Sequence, residues 1–206
     1  MIKVKVLSSG YLGANTYLVY DEDSMEGVVI DPSSSYSSVE NDSTLVNIKI
    51  KYILITHCHY DHITYYEEWL ERTNAQSAIG FADALGLLNG SINLSPYFVQ
   101  GIKSFPEANI QLRDQDVLAF GSAKVRVIAT PGHTVGSVCY YIEDALFSGD
   151  TIFAHGDIGR TDFPTGNADD LNCSIKRLMR LPEETLVFPG HGYATSIGIE
   201  MQFHLE

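Results

Sequence analysis

Apolar and polar positions alternate along Lys124-Val125-Arg126-Val127-Ile128-Ala129 and along Ile2-Lys3-Val4-Lys5-Val6. That period of two marks strands with one buried face. Tyr52-Ile53-Leu54-Ile55 and Leu186-Val187-Phe188 are instead unbroken apolar runs, as strands covered on both faces would be. With the β-branched runs added, strands are predicted over 2–7, 15–20, 27–30, 51–55, 77–80, 117–120, 124–129, 137–143, 145–148 and 185–188. Helical patterns cover 38–48, 63–73, 81–88 and 168–180. The last has Asn167 placed as an N-cap, Asp169 and Asp170 in its first turn, and Lys176, Arg177 and Arg180 late, which suits the helix dipole.

Two stretches break the pattern. Residues 31–44 are rich in Ser, contain Asp31-Pro32, and read as a loop running into the weakly patterned 38–48 segment. Residues 89–115, punctuated by Gly90, Pro96, Gly101 and Pro106, read as a long irregular loop. A loop of that length is usually functional or mobile, and Tyr97, Phe98 and Lys103 are its candidates for lining a substrate cleft. Periodicity alone gives an α/β or α+β chain of one domain over 1–204, with Leu205 and Glu206 set aside as a non-native appendage.

Composition narrows the function classes. No run approaches the ~20 apolar residues of a membrane span. The net charge of −13, from 13 basic and 26 acidic residues, argues against nucleic acid as a partner, because phosphate binding rests on Lys and Arg. Three cysteines, Cys58, Cys139 and Cys173, are too few and odd in number for a disulfide framework, and with no signal-peptide pattern they point to the cytoplasm.

The candidate chemistry sits at strand ends. Immediately after Tyr52–Ile55 comes His57-Cys58-His59-Tyr60-Asp61-His62, which holds three of the seven histidines. In extended backbone His57 and His59 project to one side and Cys58 to the other. Imidazole and carboxylate are the ligand set of hydrolytic zinc, and also of iron and manganese. Three further strand-like runs each end at a Gly beside a single ligand. They are Pro131-Gly132-His133, Ser148-Gly149-Asp150 and Pro189-Gly190-His191. His155 and His204 lack such a context, although His155 lies close in sequence to Asp150.

Taken in this order, the His-x-His-x-Asp-His run, His133, Asp150 and His191 resemble the metallo-β-lactamase superfamily, over about residues 15–199. The resemblance implies a four-layer αββα sandwich of two mixed sheets with a two-metal site at one rim. His57, His59 and His133 would hold one ion, Asp61, His62 and His191 the other, and Asp150 would bridge them. The ions implied are divalent, zinc in the first instance, with iron or manganese as substitutes. Ser148–Phe153 and Gly159-Arg160-Thr161-Asp162-Phe163 look most like single-domain glyoxalase II-type hydrolases and slightly less like persulfide dioxygenases. Arg160 and Asp162 are expected to form an ion pair that fixes the loop after Asp150. One departure is Thr64-Tyr65 in place of the small residues usual after the Asp-His pair, which touches helix packing and pocket shape.

The function implied is hydrolysis of a hydroxyacylglutathione-type thioester by a hydroxide bridging two metals, with Asp61 orienting the proton of the nucleophile. Alternatives are a mononuclear iron persulfide dioxygenase, and a lactonase or broad metal-dependent esterase.

Overall fold

The computed structural model describes residues 1–7 and 13–204. Among the described residues, twelve strands form two six-stranded sheets. The first holds β1 (Ile2–Leu7), β2 (Thr16–Asp21), β3 (Glu26–Ile30), β4 (Lys49–Ile55), β5 (Gln76–Gly80) and β6 (Ile110–Leu112), side by side in chain order. The second holds β7 (Val117–Phe120), β8 (Ala123–Ala129), β9 (Val138–Ile142), β10 (Ala145–Gly149), β11 (Leu186–Pro189) and β12 (Thr195–Ser196), also in chain order. Both sheets are mixed. β3 to β6 run parallel to their neighbours while β1–β2–β3 are antiparallel, and β10–β11 is the parallel pair of the second sheet. The helices are α1 (Ser37–Glu40), α2 (Tyr66–Thr73), α3 (Ala84–Leu88), α4 (Gly90–Asn93), α5 (Ala168–Leu178) and α6 (Ile197–His204).

The layering follows from strand alternation. In β4, Leu54 joins the core between the sheets, with Val28, Ile30, Val125, Tyr140 and Phe147. Ile53 and Ile55 face the other way, against Tyr66 and Trp69 of α2 and Leu87 of α3. In β9, Tyr140 and Ile142 point inward while Cys139 packs outward with Leu171 and Ile175 of α5 and Ile197 of α6. Both faces of each sheet are therefore apolar, and the αββα sandwich is the arrangement that buries them.

All ten expected strands are reproduced within a residue or two, but several helical expectations are corrected. The 38–48 helix shrinks to α1 and a 3-10 turn over Leu45–Asn47. There Asn41 Nδ2 donates to the Ser37 carbonyl, and Asp42 Oδ1 accepts from the Thr44 and Leu45 amides, so side chains compete with the helical backbone. α2 begins at Tyr66, three residues later than expected, so Thr64 and Tyr65 precede the helix. Residues 89–115 carry α4, a 3-10 turn over Ser95–Tyr97 and β6, so that stretch is not the structureless loop predicted. The sequence reading also missed β12 and α6. Residues 195–203 alternate polar and apolar like a strand, yet α6 forms around buried Glu200. Its carboxylate accepts from the His155 and Gly156 amides and from Thr195 Oγ1. Among the described residues no helix is long and apolar enough to cross a membrane.

Candidate metal centre

The C-terminal ends of β4, β8, β10 and β11 meet at one rim, where the two sheets are stitched together. The Val138 amide donates to the Thr56 carbonyl at 2.9 Å, Tyr140 Oη to the Ile55 carbonyl at 2.7 Å, and the Asn15 amide to the Gly190 carbonyl at 2.7 Å. From this rim β4 delivers His57 and His59, then a 3-10 turn over Tyr60–His62 delivers Asp61 and His62. The loops after β8, β10 and β11 deliver His133, Asp150 and His191. Cys58 turns away into the helix-side core, as its parity predicts. Gly149 takes φ +50° to turn the chain into Asp150, and a Cβ at Gly190 would collide with the Asp150 carboxylate and the His62 ring.

All seven residues expected at the site are brought together. Three groups have ligand atoms within 4.8 Å of one another: His57/His59/His133, His57/His62/Asp150 and Asp61/His62/His191. Asp150 lies between them. Its Oδ1 is 3.3 Å from His62 Nε2, and its Oδ2 is 3.6 Å from both His133 Nε2 and His191 Nε2. Asp61 Oδ2 is 3.2 Å from His191 Nε2 and 3.8 Å from His62 Nε2. His155 lies outside all three groups, and His204 sits on α6.

The electrostatics are those of a cation site. Burial, then the neighbouring imidazoles, pushes His59 down to about 3 and His57 well below the ordinary imidazole value. Both rings are therefore neutral with a lone pair to donate. Burial would raise the Asp150 carboxyl, but His62, His133 and His191 outweigh it and hold the group below the usual carboxylate range. For His62 burial is likewise overcome, here by Asp150, Asp61 and Asp31, and its value is raised well above normal. His57 Nε2 and His59 Nε2 are buried with no hydrogen-bond partner, and the equally buried His62 Nε2 and Asp150 Oδ1 face each other at 3.3 Å. Orphaned polar atoms that converge on one point fit a divalent cation, whereas left bare they would each carry a desolvation cost.

The residues behind the ligands were not all foreseen. Asp31, read from sequence only as part of a loop, accepts from the Thr56 amide (2.8 Å), from Thr56 Oγ1 (2.7 Å) and from His62 Nδ1 (2.9 Å). It thereby aims His62 Nε2 at the site. The signal was present as an Asp at the end of an apolar run, but its partner at His62 is a tertiary contact. Asp83 was also missed. It accepts from the Cys58 amide, Thr134 Oγ1 and the Gly136 amide, and so ties the loop of His57 and His59 to that of His133. His133 Nδ1 donates to the Arg160 carbonyl at 2.7 Å.

A cleft of about 350 Å³ opens over the ligands, walled by Leu94, Phe98, Phe153, Ile158, Arg160 and Phe163. The expected Arg160–Asp162 pair is present, with Nε and Nη2 each 2.6 Å from a carboxylate oxygen. Phe98 lines the cleft as predicted, and Tyr97 approaches Phe163 with ring centroids 6.2 Å apart. Lys103 does not line it and is paired with Glu67 at 3.0 Å.

Comparison with known proteins agrees with this geometry. The model of the "Metallo-beta-lactamase superfamily" matches residues 9–191. The "Probable metallo-hydrolase YqgX" of Bacillus subtilis is 32% identical over 200 residues, covering 95% of this chain and 93% of its own. The crystal structure of "BLEG-1 B3 metallo-beta-lactamase" superposes with a TM-score of 0.88 at 32% identity, covering 98% and 97% of the two chains. That of "TTHA1623 in a di-iron-bound form" does so with 0.83 at 30% identity, covering 97% and 98%. The fold, the His/Asp cluster and these matches place the chain in the metallo-β-lactamase superfamily, whose members are generally metal-dependent hydrolases.

Proposed function

We propose that the chain is a hydrolase of thioesters, of which the hydroxyacylglutathione type is the reference, working with two divalent ions. The observation that carries the reading is the position of Asp150, whose carboxylate lies 3.3–3.6 Å from histidines of both triads. His57, His59 and His133 would hold one ion, Asp61, His62 and His191 the other, with Asp150 shared. Zinc suits this nitrogen-oxygen set, and so do iron and manganese. When bound, such a pair supplies a water activated near neutral pH and a Lewis acid for the carbonyl.

The chain's own residues restrict which bond is broken. Water adds its oxygen to the acyl carbon, the carbon–sulfur bond breaks, and sulfur leaves with the electron pair. Thiols ionise near ~8.5, so that sulfur departs without a proton donor. An amide nitrogen would need one, and among the described residues the cleft wall offers, apart from the ligand residues, only Arg160, which does not give up its proton. Asp61 Oδ2, at the mouth of the site and close to His191, is placed to take the proton of the incoming water. The completeness of the Asp61/His62/His191 group favours this reading over the single-iron dioxygenase alternative, which would leave that group idle.

The test is a substrate panel on metal-loaded protein. Thioesters, S-lactoylglutathione among them, are expected to be hydrolysed at least ~10²-fold faster than a penicillin or a cephalosporin. Comparable turnover of β-lactams, or oxygen consumption with a persulfide and no thioester hydrolysis, would overturn the assignment.

A further inference from the structure

Of the thirteen Lys and Arg residues in the chain, Arg160 alone lines the cleft. Its guanidinium is already engaged on two sides. Nε and Nη2 bind Asp162 in a fork, and the carbon of the guanidinium lies 3.9 Å from the centroid of the Phe163 ring. Asp162 and Arg160 are about equally exposed, 65% and 57%, so the cleft edge presents a paired, net-neutral group rather than a lone cation. Lys103, the other cation expected at the cleft, lies outside its lining and is paired with Glu67. Residues 8–12, outside the described part, are Ser-Ser-Gly-Tyr-Leu and carry no side-chain charge.

The rest of the wall is apolar. Phe98 and Ile158 are each 42% exposed there, with Leu94, Phe153 and Phe163 beside them. Phe98 stacks on Tyr60, with centroids 5.7 Å apart, which fixes the orientation of its ring toward the cleft. The apolar rim continues outward to Tyr97, more than two-thirds exposed, whose ring approaches that of Phe163. Glutathione carries carboxylates at both ends of its peptide, and each needs a cation or several amide donors to offset its desolvation. Among the described residues this wall supplies one cation, Arg160, and it is already paired with Asp162.

Resting on the thioesterase reading above, we infer that the cleft is built for an uncharged, apolar thioester and discriminates against the carboxylate-bearing glutathione thiol. The substrate's apolar arm lies against Phe98, Ile158 and Phe163, while the carbonyl faces the ligand cluster. Asp162 acts as a specificity determinant by keeping Arg160 occupied.

Two thioethers that share a hexyl arm isolate the charge, and because neither can be hydrolysed the measurement is independent of turnover. By calorimetry on metal-loaded protein, S-hexyl-N-acetylcysteamine is expected to bind at least threefold more tightly than S-hexylglutathione. Asp162→Asn should tighten S-hexylglutathione by roughly three- to fivefold, the size of one exposed charge pair, without improving the uncharged ligand. Phe98→Ser should weaken the uncharged ligand about tenfold, as loss of a buried ring contact does. Equal or tighter binding of S-hexylglutathione by the unmodified protein, or no binding of either probe, would overturn the inference. Failure of the thioester panel with these affinities intact would overturn the reaction assignment alone.

Discussion

Asp150 shows what a single side chain has to do at this rim. It is the one carboxylate flanked by His62, His133 and His191 together, and those rings hold it ionised against burial. Removing it should disturb reaction geometry far more than folding, since none of the three apolar cores that order the sheets and helices includes it. Asp150→Ala is expected to lower thioester turnover by at least ~10², the cost of slightly misplaced reacting groups, with little change in melting temperature. Near-normal turnover with both ions retained would show that it does not bridge. The histidines make a second prediction, for metal-free protein. His59 is pushed from 6.5 down to about 3, and His57 also lies well below normal. As pH falls from 6.5 towards 3 the unfolded chain takes up protons that the folded one refuses, so stability must drop across that window. His62 is shifted upward, and its contribution is complete below 6.5 and lost only on the alkaline side, so it cannot offset the decline. Melting temperatures should therefore fall between pH 6.5 and pH 4, and His59→Gln should flatten the slope. An unchanged melting temperature over that range would contradict the buried neutral imidazoles.

At the scale of elements, the ligand-bearing strand ends are held in register by groups that belong to neither metal triad. Asp83, in the 3-10 turn before α3, spans the loops of His57/His59 and His133 with three accepted hydrogen bonds. Asp83→Ala leaves two buried amides unpaired, at ~1–3 kcal/mol each. A loss of about 3 kcal/mol in a chain of this size lowers the melting temperature by ~6–12 °C. The same variant should also bind metal more weakly at the His57/His59/His133 group, which a purely structural residue would not affect. Unchanged metal affinity with the same loss of stability would reduce Asp83 to a structural prop. This element also marks the limit of what sequence reveals. The seven ligand candidates stand out because strand ends and glycines are local signals, and the strands because alternation is local too. Asp31 and Asp83 act on partners twenty-five or more positions away, and nothing in their own surroundings announces that. α6 was missed for a related reason: its alternating sequence reads as a strand, and it is held by Glu200, whose partners His155 and Gly156 lie in a different loop.

At the scale of the molecule, the two sheets turn apolar faces to one another and to the helices, and all the ligands emerge at one rim. The core thus needs no metal to be buried, while the rim concentrates three carboxylates, Asp31, Asp61 and Asp150, among five histidines. An acidic chain of net charge −13 would repel anions at a distance, which agrees with a cleft whose wall is apolar and whose one cation is already paired. The central claim is that two ions share this rim through Asp150. Metal content by mass spectrometry, on protein reconstituted with zinc or iron and then freed of excess metal, tests it most directly. The account predicts close to two ions per chain, falling to about one in His191→Ala, whose other group at His57, His59 and His133 remains complete. One tightly bound ion in the unmodified protein, together with full thioesterase activity, would contradict it.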